Sequence, residues 1–258
     1  MSRLVFITGA SSGIGQALAM RFYQAGYRLA LAARRTAEVQ AWAEAHAVSA
    51  ERYQVYSADV SRLDSIVAAG QACIAAQGLP DVVVANAGIS IGMDTAERGD
   101  LEVMAKTFAT NTVGMAATFH PFVAAMAARG SGTLVGIGSV SGIRGLPGHG
   151  AYCASKAAVI SYCESLRGEL RPSGVKVVTI CPGYIDTPLT QKNRYAMPFL
   201  MAPQRFADKV FASIQAGHSY RVIPWQMGLV AKLLRLLPNA VFDRALAGRA
   251  RKQRQGEA

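Results

Sequence analysis

Leu4-Val5-Phe6-Ile7-Thr8-Gly9-Ala10-Ser11-Ser12-Gly13-Ile14-Gly15 runs from an apolar, β-branched segment into a glycine-rich turn. Leu4 to Ile7 present no polar face, as expected of a strand buried on both sides in a parallel sheet. An apolar helical pattern follows through Ile14, Leu18 and Phe22, and Gly26 marks its end. Strand, glycine turn and helix in that order predict a dinucleotide site. Glycines permit a tight turn and close approach of backbone to a pyrophosphate. The helix N-terminus offers unpaired N–H groups and positive potential. The spacing is Gly-x-x-x-Gly-x-Gly, so Gly9, Ser11, Ser12, Gly13, Ile14 and Gly15 are the first cofactor-contact candidates. The alternative is a flexible loop with no ligand.

The same alternation continues to about residue 224. Strands are expected at Leu4–Thr8, Arg28–Ala33, Gln54–Ser57, Val82–Ala85, Thr133–Ile137, Lys176–Ile180 and Tyr220–Ile223. Helical patterns cover Thr36–Ala47, Leu63–Ala76, Leu101–Arg129, Ala151–Leu170 and Pro203–Ala216. This predicts an α/β fold: a doubly wound parallel sheet with helices on both faces and its site at the carboxyl ends of the strands. No linker or repeat divides residues 1–224, which are expected to form a single dinucleotide-binding and catalytic domain. With 258 residues, 51% of them hydrophobic, the chain can bury a sizeable core. It holds no run of ~18 uncharged apolar residues, so no membrane-spanning helix is expected. Met1-Ser2-Arg3 leads straight into the first strand and leaves no room for a signal peptide, so a cytoplasmic location is expected. Cys73, Cys153, Cys163 and Cys181 lack Cys-x-x-Cys spacing and read as free buried thiols. His46, His120, His149 and His218 share no segment, and no metal site is expected.

Tyr152 and Lys156 lie four residues apart in an expected helix, which puts phenol and ammonium on one face. An ammonium favours phenolate and lowers a phenol pKa from near ~10 toward neutrality. Alone, the pair reads equally as an exposed helix pair. Thr8-Gly9-x-x-x-Gly13-x-Gly15, Asn86-Ala87-Gly88, Ser139 and Tyr152-x-x-x-Lys156 together resemble the short-chain dehydrogenase/reductase family, in order and in spacing, from about Leu4 to about Thr187. Asn111 lies where that family places its helix-kinking asparagine.

The resemblance implies a Rossmann fold and the interconversion of a carbonyl and an alcohol with a nicotinamide cofactor. It implies that Tyr152 donates a proton to the developing alkoxide and that Ser139 stabilises that oxygen. Lys156 lowers the tyrosine pKa and holds the nicotinamide ribose, and Asn111 holds a water linking Lys156 to solvent. Asp59 binds the adenine amino group with the Val60 amide beside the ring; alternatively, Asp59 or Ser61 caps the following helix. Asn86, Ala87 and Gly88 let the chain pass close to the cofactor, although Ala85 stands where the family often has Asn. Pro182, Gly183 and Thr187 contact the nicotinamide. A protein that kept the fold and the cofactor but not turnover, acting as a sensor or scaffold, is the rival reading. The intact Asn111, Ser139, Tyr152 and Lys156 speak against it.

The second strand ends Leu31-Ala32-Ala33-Arg34-Arg35. A carboxylate at this strand end binds the adenosine ribose in enzymes that use NAD. Here Ala33 takes that place, and the Arg34 guanidinium suits a 2′-phosphate. NADP (NADPH) is therefore expected rather than NAD, although Ser12 stands where many NADP-preferring relatives have a basic residue. The alternative is a solvated arginine pair opening a helix.

Tyr184–Met201 is expected to form a lid whose Leu189, Met197, Phe199, Leu200 and Met201 suit a hydrophobic carbonyl or alcohol substrate. Packing of the lid on its own domain is the alternative. Gly142–Gly150 is expected to be a mobile wall that contributes little side chain. The segment 225–258 reads as a C-terminal helical extension. Trp225–Leu237 has helical periodicity, with Gly228, Lys232, Arg235 and, just beyond it, Asn239 as the expected polar stripe. After Pro238, a second helix is expected to carry Arg244, Arg249, Arg251, Lys252 and Arg254. Residues 221–258 hold eight Lys or Arg against Asp243 and Glu257, +6 of the chain's net +11. A basic amphipathic segment suits peripheral contact with an anionic membrane; a subunit contact in a homodimer or homotetramer is the alternative. Nucleic acid is not expected, because aromatics do not interleave the basic residues. The tail resembles that of the hydroxysteroid dehydrogenase and ketosphinganine reductase branch, whose substrates are lipids.

Overall fold

Leu4–Thr8 (β1), Arg28–Ala33 (β2), Tyr53–Ser57 (β3), Val82–Ala85 (β4), Gly132–Ile137 (β5), Val175–Pro182 (β6) and Tyr220–Ile223 (β7) form one parallel sheet in the order β3-β2-β1-β4-β5-β6-β7. The computed structural model describes residues 2–191, 193, 195–248, 251–254 and 256. Seven expected strands are seven observed strands, four with identical bounds. Parallel strands bury both faces, and β1 shows the consequence. Val5 and Ile7 face one core with Leu18 and Phe22 of helix Gly13–Gln24 (α1), and with Phe206 and Val210 of helix Pro203–Gln215 (α7). Leu4 and Phe6 face the other, with Ile66 of helix Leu63–Gln77 (α3), Phe122 of helix Gly114–Arg129 (α5) and Leu166 of helix Gly150–Leu170 (α6). The rings of Phe6 and Phe122 meet at 5.1 Å. Helix Thr36–Ala45 (α2) adds Val39, Trp42 and Ala43 to the first core.

Strand order reverses between β1 and β4. The loops there diverge, and a crevice opens at the carboxyl ends. The helix expected over Leu101–Arg129 is broken. Asp100–Phe108 (α4) passes through a π-helical turn, Ala109–Val113, before α5 begins. Such turns occur often at functional sites, and Asn111 occupies this one.

The C-terminal helices differ from the expectation. In Trp225–Leu236 (α8) the inward face is Met227, Gly228 and Ala231, with Gly228 against Val222. Gly228 therefore belongs to the packed face and not to a polar stripe. Trp225, Leu229, Leu233 and Leu236 face outward beside exposed Lys232 and Arg235. Asn239–Leu246 (α9) carries Arg244 alone of the expected basic set. Arg251, Lys252 and Arg254 lie beyond the helix in an extended segment, and Arg249 lies outside the described residues. The wall at Gly142–Gly150 is pinned to these helices. The Arg144 guanidinium sits 3.9 Å over the Phe242 ring and donates to Leu237 O at 2.8 Å and Asn239 Oδ1 at 3.1 Å.

α1 lies against the end of β1 because Gly15 has no side chain. A methyl there would overlap the Gly9 carbonyl oxygen. Gly15→Ala should destabilise the fold by about 1–3 kcal/mol, as overpacking does, read as a lower urea midpoint. An unchanged midpoint would mean that α1 can back away from β1 at no cost.

Candidate active site

Two cavities open at the carboxyl ends of the strands, and Tyr152 and Leu189 line both. The smaller, about 390 Å³, is lined by Gly9, Ser11, Ser12, Gly13, Ile14, Arg34, Asp59, Val60, Asn86, Ala87, Gly88, Lys156, Pro182 and Thr187 among others. Of the expected cofactor contacts only Gly15 and Gly183 fall outside this lining, Gly15 beneath the loop and Gly183 in the second cavity.

The glycine loop is held from behind. The Asn86 side-chain amide donates to Thr8 O at 2.9 Å, and the N–H groups of Asn86 and Ala87 donate to Thr8 Oγ1 at 3.1 and 3.2 Å. These bonds tie the ends of β1 and β4 together across the switch point. Gly9 has φ 68°, and a methyl on it would sit 2.9 Å from Ala87 Cα, so the loop and the β4 end pack backbone to backbone. Asn86 thus contributes a specific lock, which the expectation of smallness at Asn86-Ala87-Gly88 missed. Thr8 was quoted in the motif, yet its hydroxyl is what the lock depends on.

The far end of this cavity is basic. Arg34 lies 4.0 Å from Asp59, and Arg35 donates to Ser11 Oγ at 3.2 Å while pairing with Glu38 at 3.1 Å. Both guanidinium groups line the cavity, so Arg35 joins Arg34 as a candidate for an anionic ligand. Ala33 leaves room beside them. Asp59 accepts from the Ser61 N–H at 3.0 Å and the Ser61 hydroxyl at 2.7 Å. Burial pushes its carboxyl up, but those bonds and the charges of Arg34 and Arg62 outweigh it and hold the group below its usual pKa. Neither Asp59 nor Ser61 caps α3. Its N-cap is Arg62, with no side-chain cap bond, and Asp59 closes the turn before it.

At the other end stand the four residues expected to be catalytic. Ser139 tops β5 and accepts from the Ser141 N–H at 3.1 Å. Tyr152 is in the first turn of α6, and Lys156 follows one turn later, 4% exposed. Lys156 Nζ donates to Ile137 O at 2.8 Å, at the end of β5. Asn111 is fully engaged: Oδ1 accepts from the Ile89 N–H at 2.8 Å, and Nδ2 donates to Ile89 O at 2.9 Å and Ser155 Oγ at 3.0 Å. The π-turn is what lets this side chain reach both the β4 loop and α6.

The electrostatics differ from expectation. Burial pushes the Tyr152 phenol up to about 12, with the Ser139 hydroxyl pulling the other way. Burial pulls the Lys156 ammonium down to about 8. Burial dominates the phenol, while the Lys156 ammonium is engaged by Ile137 O and lies 5.9 Å from the phenol ring centre.

The second cavity, about 760 Å³, begins at Ser139 and Tyr152. The wall expected to offer little side chain supplies Leu146, Pro147 and His149. Of the lid residues, Leu189 and Met197 line the cavity, while Met201 is buried in the core. Phe199 and Leu200 turn to a separate depression with Arg205 and Trp225. The lid supplies Tyr184 and Tyr195 instead, which composition alone did not single out. His149 lies 6.0 Å from the Tyr152 ring and 6.2 Å from the Tyr195 ring. Burial, and then the charge of Lys252, pull its pKa down to about 4, so its imidazole is neutral at physiological pH.

Comparison with known proteins agrees with this geometry. The family model described as short chain dehydrogenase matches residues 3–197. An uncharacterized oxidoreductase of Myxococcus xanthus is 37% identical over 94% of this chain and 96% of its own length. A short-chain dehydrogenase from Streptomyces avermitilis shares the fold, with a TM-score of 0.81 at 24% identity over 90% of this chain and 92% of its own. An alcohol dehydrogenase from Thermococcus sibiricus, solved with 5-hydroxy-NADP, gives a TM-score of 0.78 at 25% identity over 86% and 96%. The chain belongs to the short-chain dehydrogenase/reductase family, and is thereby an NAD(P)-dependent oxidoreductase that acts on a small-molecule substrate.

Proposed function

We propose that this protein uses NADP(H) to interconvert a carbonyl and a secondary alcohol on a hydrophobic, lipid- or steroid-like substrate. The observation that carries the reading is the place of Tyr152, which lines both the cavity at the glycine loop and the larger cavity with Leu146, Leu189 and Met197. The lining of the smaller cavity suits such a group: its glycine loop would hold a pyrophosphate, and its two arginines and Ser11 supply donors that would hold an adenosine phosphate. The bound nicotinamide supplies or accepts the hydride. The chain supplies placement and charge. Gly9 to Gly15 and the N-terminus of α1 hold the pyrophosphate, and Arg34 and Arg35 hold the 2′-phosphate. Asp59 and Val60 bracket the adenine. Pro182, Gly183 and Thr187 border the nicotinamide. Lys156 reaches toward its ribose, and Tyr152 passes a proton to or from the substrate oxygen while Ser139 donates a hydrogen bond to it. Asn111 keeps Lys156 and α6 in register with the β4 end. The Thermococcus sibiricus relative, which holds an NADP derivative, supports the cofactor choice.

We further propose that residues 225–258 act as an extension to the domain, and that α8 rests on an anionic membrane surface. Trp225, Leu229, Leu233 and Leu236 form an exposed stripe flanked by Lys232 and Arg235. Among the described residues no helix is long and apolar enough to cross a membrane.

Tyr152→Phe keeps the ring and removes the proton. Turnover of a hydrophobic ketone should fall by at least ~10²-fold with cofactor affinity largely kept; near-wild-type turnover would remove Tyr152 from the mechanism. Arg34→Ala should weaken NADPH binding ten- to hundredfold (about 1.5–3 kcal/mol) and NADH binding much less, with Arg35→Ala acting in the same direction. Fluorescence titration measures both, and equal losses for the two cofactors would make the arginines structural. Sedimentation with anionic vesicles should be strong at low salt, weaken as salt rises, and be abolished by Lys232→Glu with Arg235→Glu. If the protein ignores vesicles and the double variant changes its oligomeric state, α8 is a subunit interface.

A further inference from the structure

A third cavity, about 680 Å³, lies between α7 and β7, apart from the two that Tyr152 lines. β7 is the edge strand of the sheet, so the cavity is a groove along that edge. Its walls are basic. Arg205 and Lys209 stand one turn apart on α7 and share one face. Ile223 packs into the core with Phe206 and Val210 of α7, and Arg221, two residues earlier in β7, points to the same side of the sheet. All three cations line the groove, and none of its described lining residues is acidic. Among the described residues none of the three has a carboxylate partner. Asp208, the acid of α7, is turned away to Arg21 of α1 at 3.0 Å. The rim is apolar. Phe199 and Leu200 come from the lid and Trp225 opens α8, at 50%, 47% and 64% exposure. Phe199 is held at φ 58°, a left-handed conformation costly for an aromatic residue, with its ring at the groove. Trp225 belongs both to this rim and to the outward stripe of α8, so one apolar surface runs from the groove to Leu229, Leu233 and Leu236.

We propose that this groove binds the phosphomonoester head group of a membrane lipid, with Arg205, Lys209 and Arg221 on the phosphate and Phe199, Leu200 and Trp225 against the apolar part of the lipid. It extends the membrane reading of α8, rests on it, and names the lipid that the surface meets. A phosphomonoester carries roughly −1.5 to −2 charge near neutrality and several acceptor oxygens, which suits a set of cations better than the single charge of a phosphodiester. An arginine fork matches two of those oxygens at once. The continuous apolar surface from the rim to α8 is one that a bilayer covers in a single contact. A second copy of the chain is the less favourable occupant. Two copies paired through their β7 edges about a two-fold axis would set the same cations against one another.

The test is sedimentation of the full chain with phosphatidylcholine vesicles that carry either phosphatidate or phosphatidylserine, brought to equal surface charge by their electrophoretic mobility. Wild type should bind the phosphatidate vesicles at least ~10-fold more tightly, the margin that charge-assisted hydrogen bonds to the head group supply. Arg205→Gln with Arg221→Gln should bring that ratio close to one. Lys232→Gln with Arg235→Gln removes equal charge from α8, and should weaken binding to both vesicles while keeping the ratio. All four residues are exposed, so both variants should unfold at the wild-type temperature. A wild-type ratio of one, or a ratio unmoved by the groove variant, would overturn the proposal and leave the membrane reading of α8 standing. Binding to neither vesicle would overturn both. Full displacement from phosphatidate vesicles by inorganic phosphate, at the lipid's own concentration and constant ionic strength, would make the groove a site for free phosphate and overturn the lipid assignment. A groove variant that leaves vesicle binding alone and changes the oligomeric state would make it a subunit interface, with the same consequence.

Discussion

The site depends on one buried cation. Lys156 places an ammonium, 4% exposed, against the carbonyl of Ile137 at the end of β5. An unpaired charge in such a place is costly, so its surroundings are built to receive it. Ile137 O accepts from it, Gly88 keeps the β4 loop close, and Asn111 holds that loop to α6 through Ile89 and Ser155. The π-turn in the helix after β4 follows from the same need, because a regular helix would carry Asn111 past its partners. Fixing Lys156 fixes the first turn of α6, and so sets Tyr152 where the two cavities meet.

The same burial acts on both groups of the pair. Removing water raises the phenol and lowers the ammonium. The glycine loop follows a similar principle. Its conformation is held by Thr8 and Asn86 from behind, so that its front is free for a pyrophosphate.

What the sequence made legible was local. Strand bounds follow from short β-branched runs, and β1, β2, β4 and β7 begin and end where the pattern does. The motif residues at strand ends are brought together because a parallel sheet places all its carboxyl ends on one edge. What stayed hidden depends on contacts between distant segments. Nothing in the period of residues 225–258 says that Arg254 meets Asp100, or that Lys252 enters a cavity walled by residues a hundred positions earlier. The tail reads as a basic amphipathic segment, and two of its basic residues, Arg251 and Arg254, are instead matched to Asp94, Glu97 and Asp100. The wall before α6 was misjudged because its glycines suggested looseness, whereas Arg144 fastens it to α9 by stacking on Phe242. The sequence gives Arg35 only as half of a solvated arginine pair, and the fold shows it touching Ser11.

The most direct test of the account is a crystal structure of the full chain with NADPH and a hydrophobic secondary alcohol as an unreactive substrate analogue, a pair that cannot exchange hydride. The account predicts the nicotinamide beside Pro182 and Thr187, and the analogue's hydroxyl oxygen within hydrogen-bond distance of both Tyr152 and Ser139. Its apolar body should run along Leu146 and Met197. A nucleotide bound away from the glycine loop, or a hydroxyl that meets neither Tyr152 nor Ser139, would contradict it.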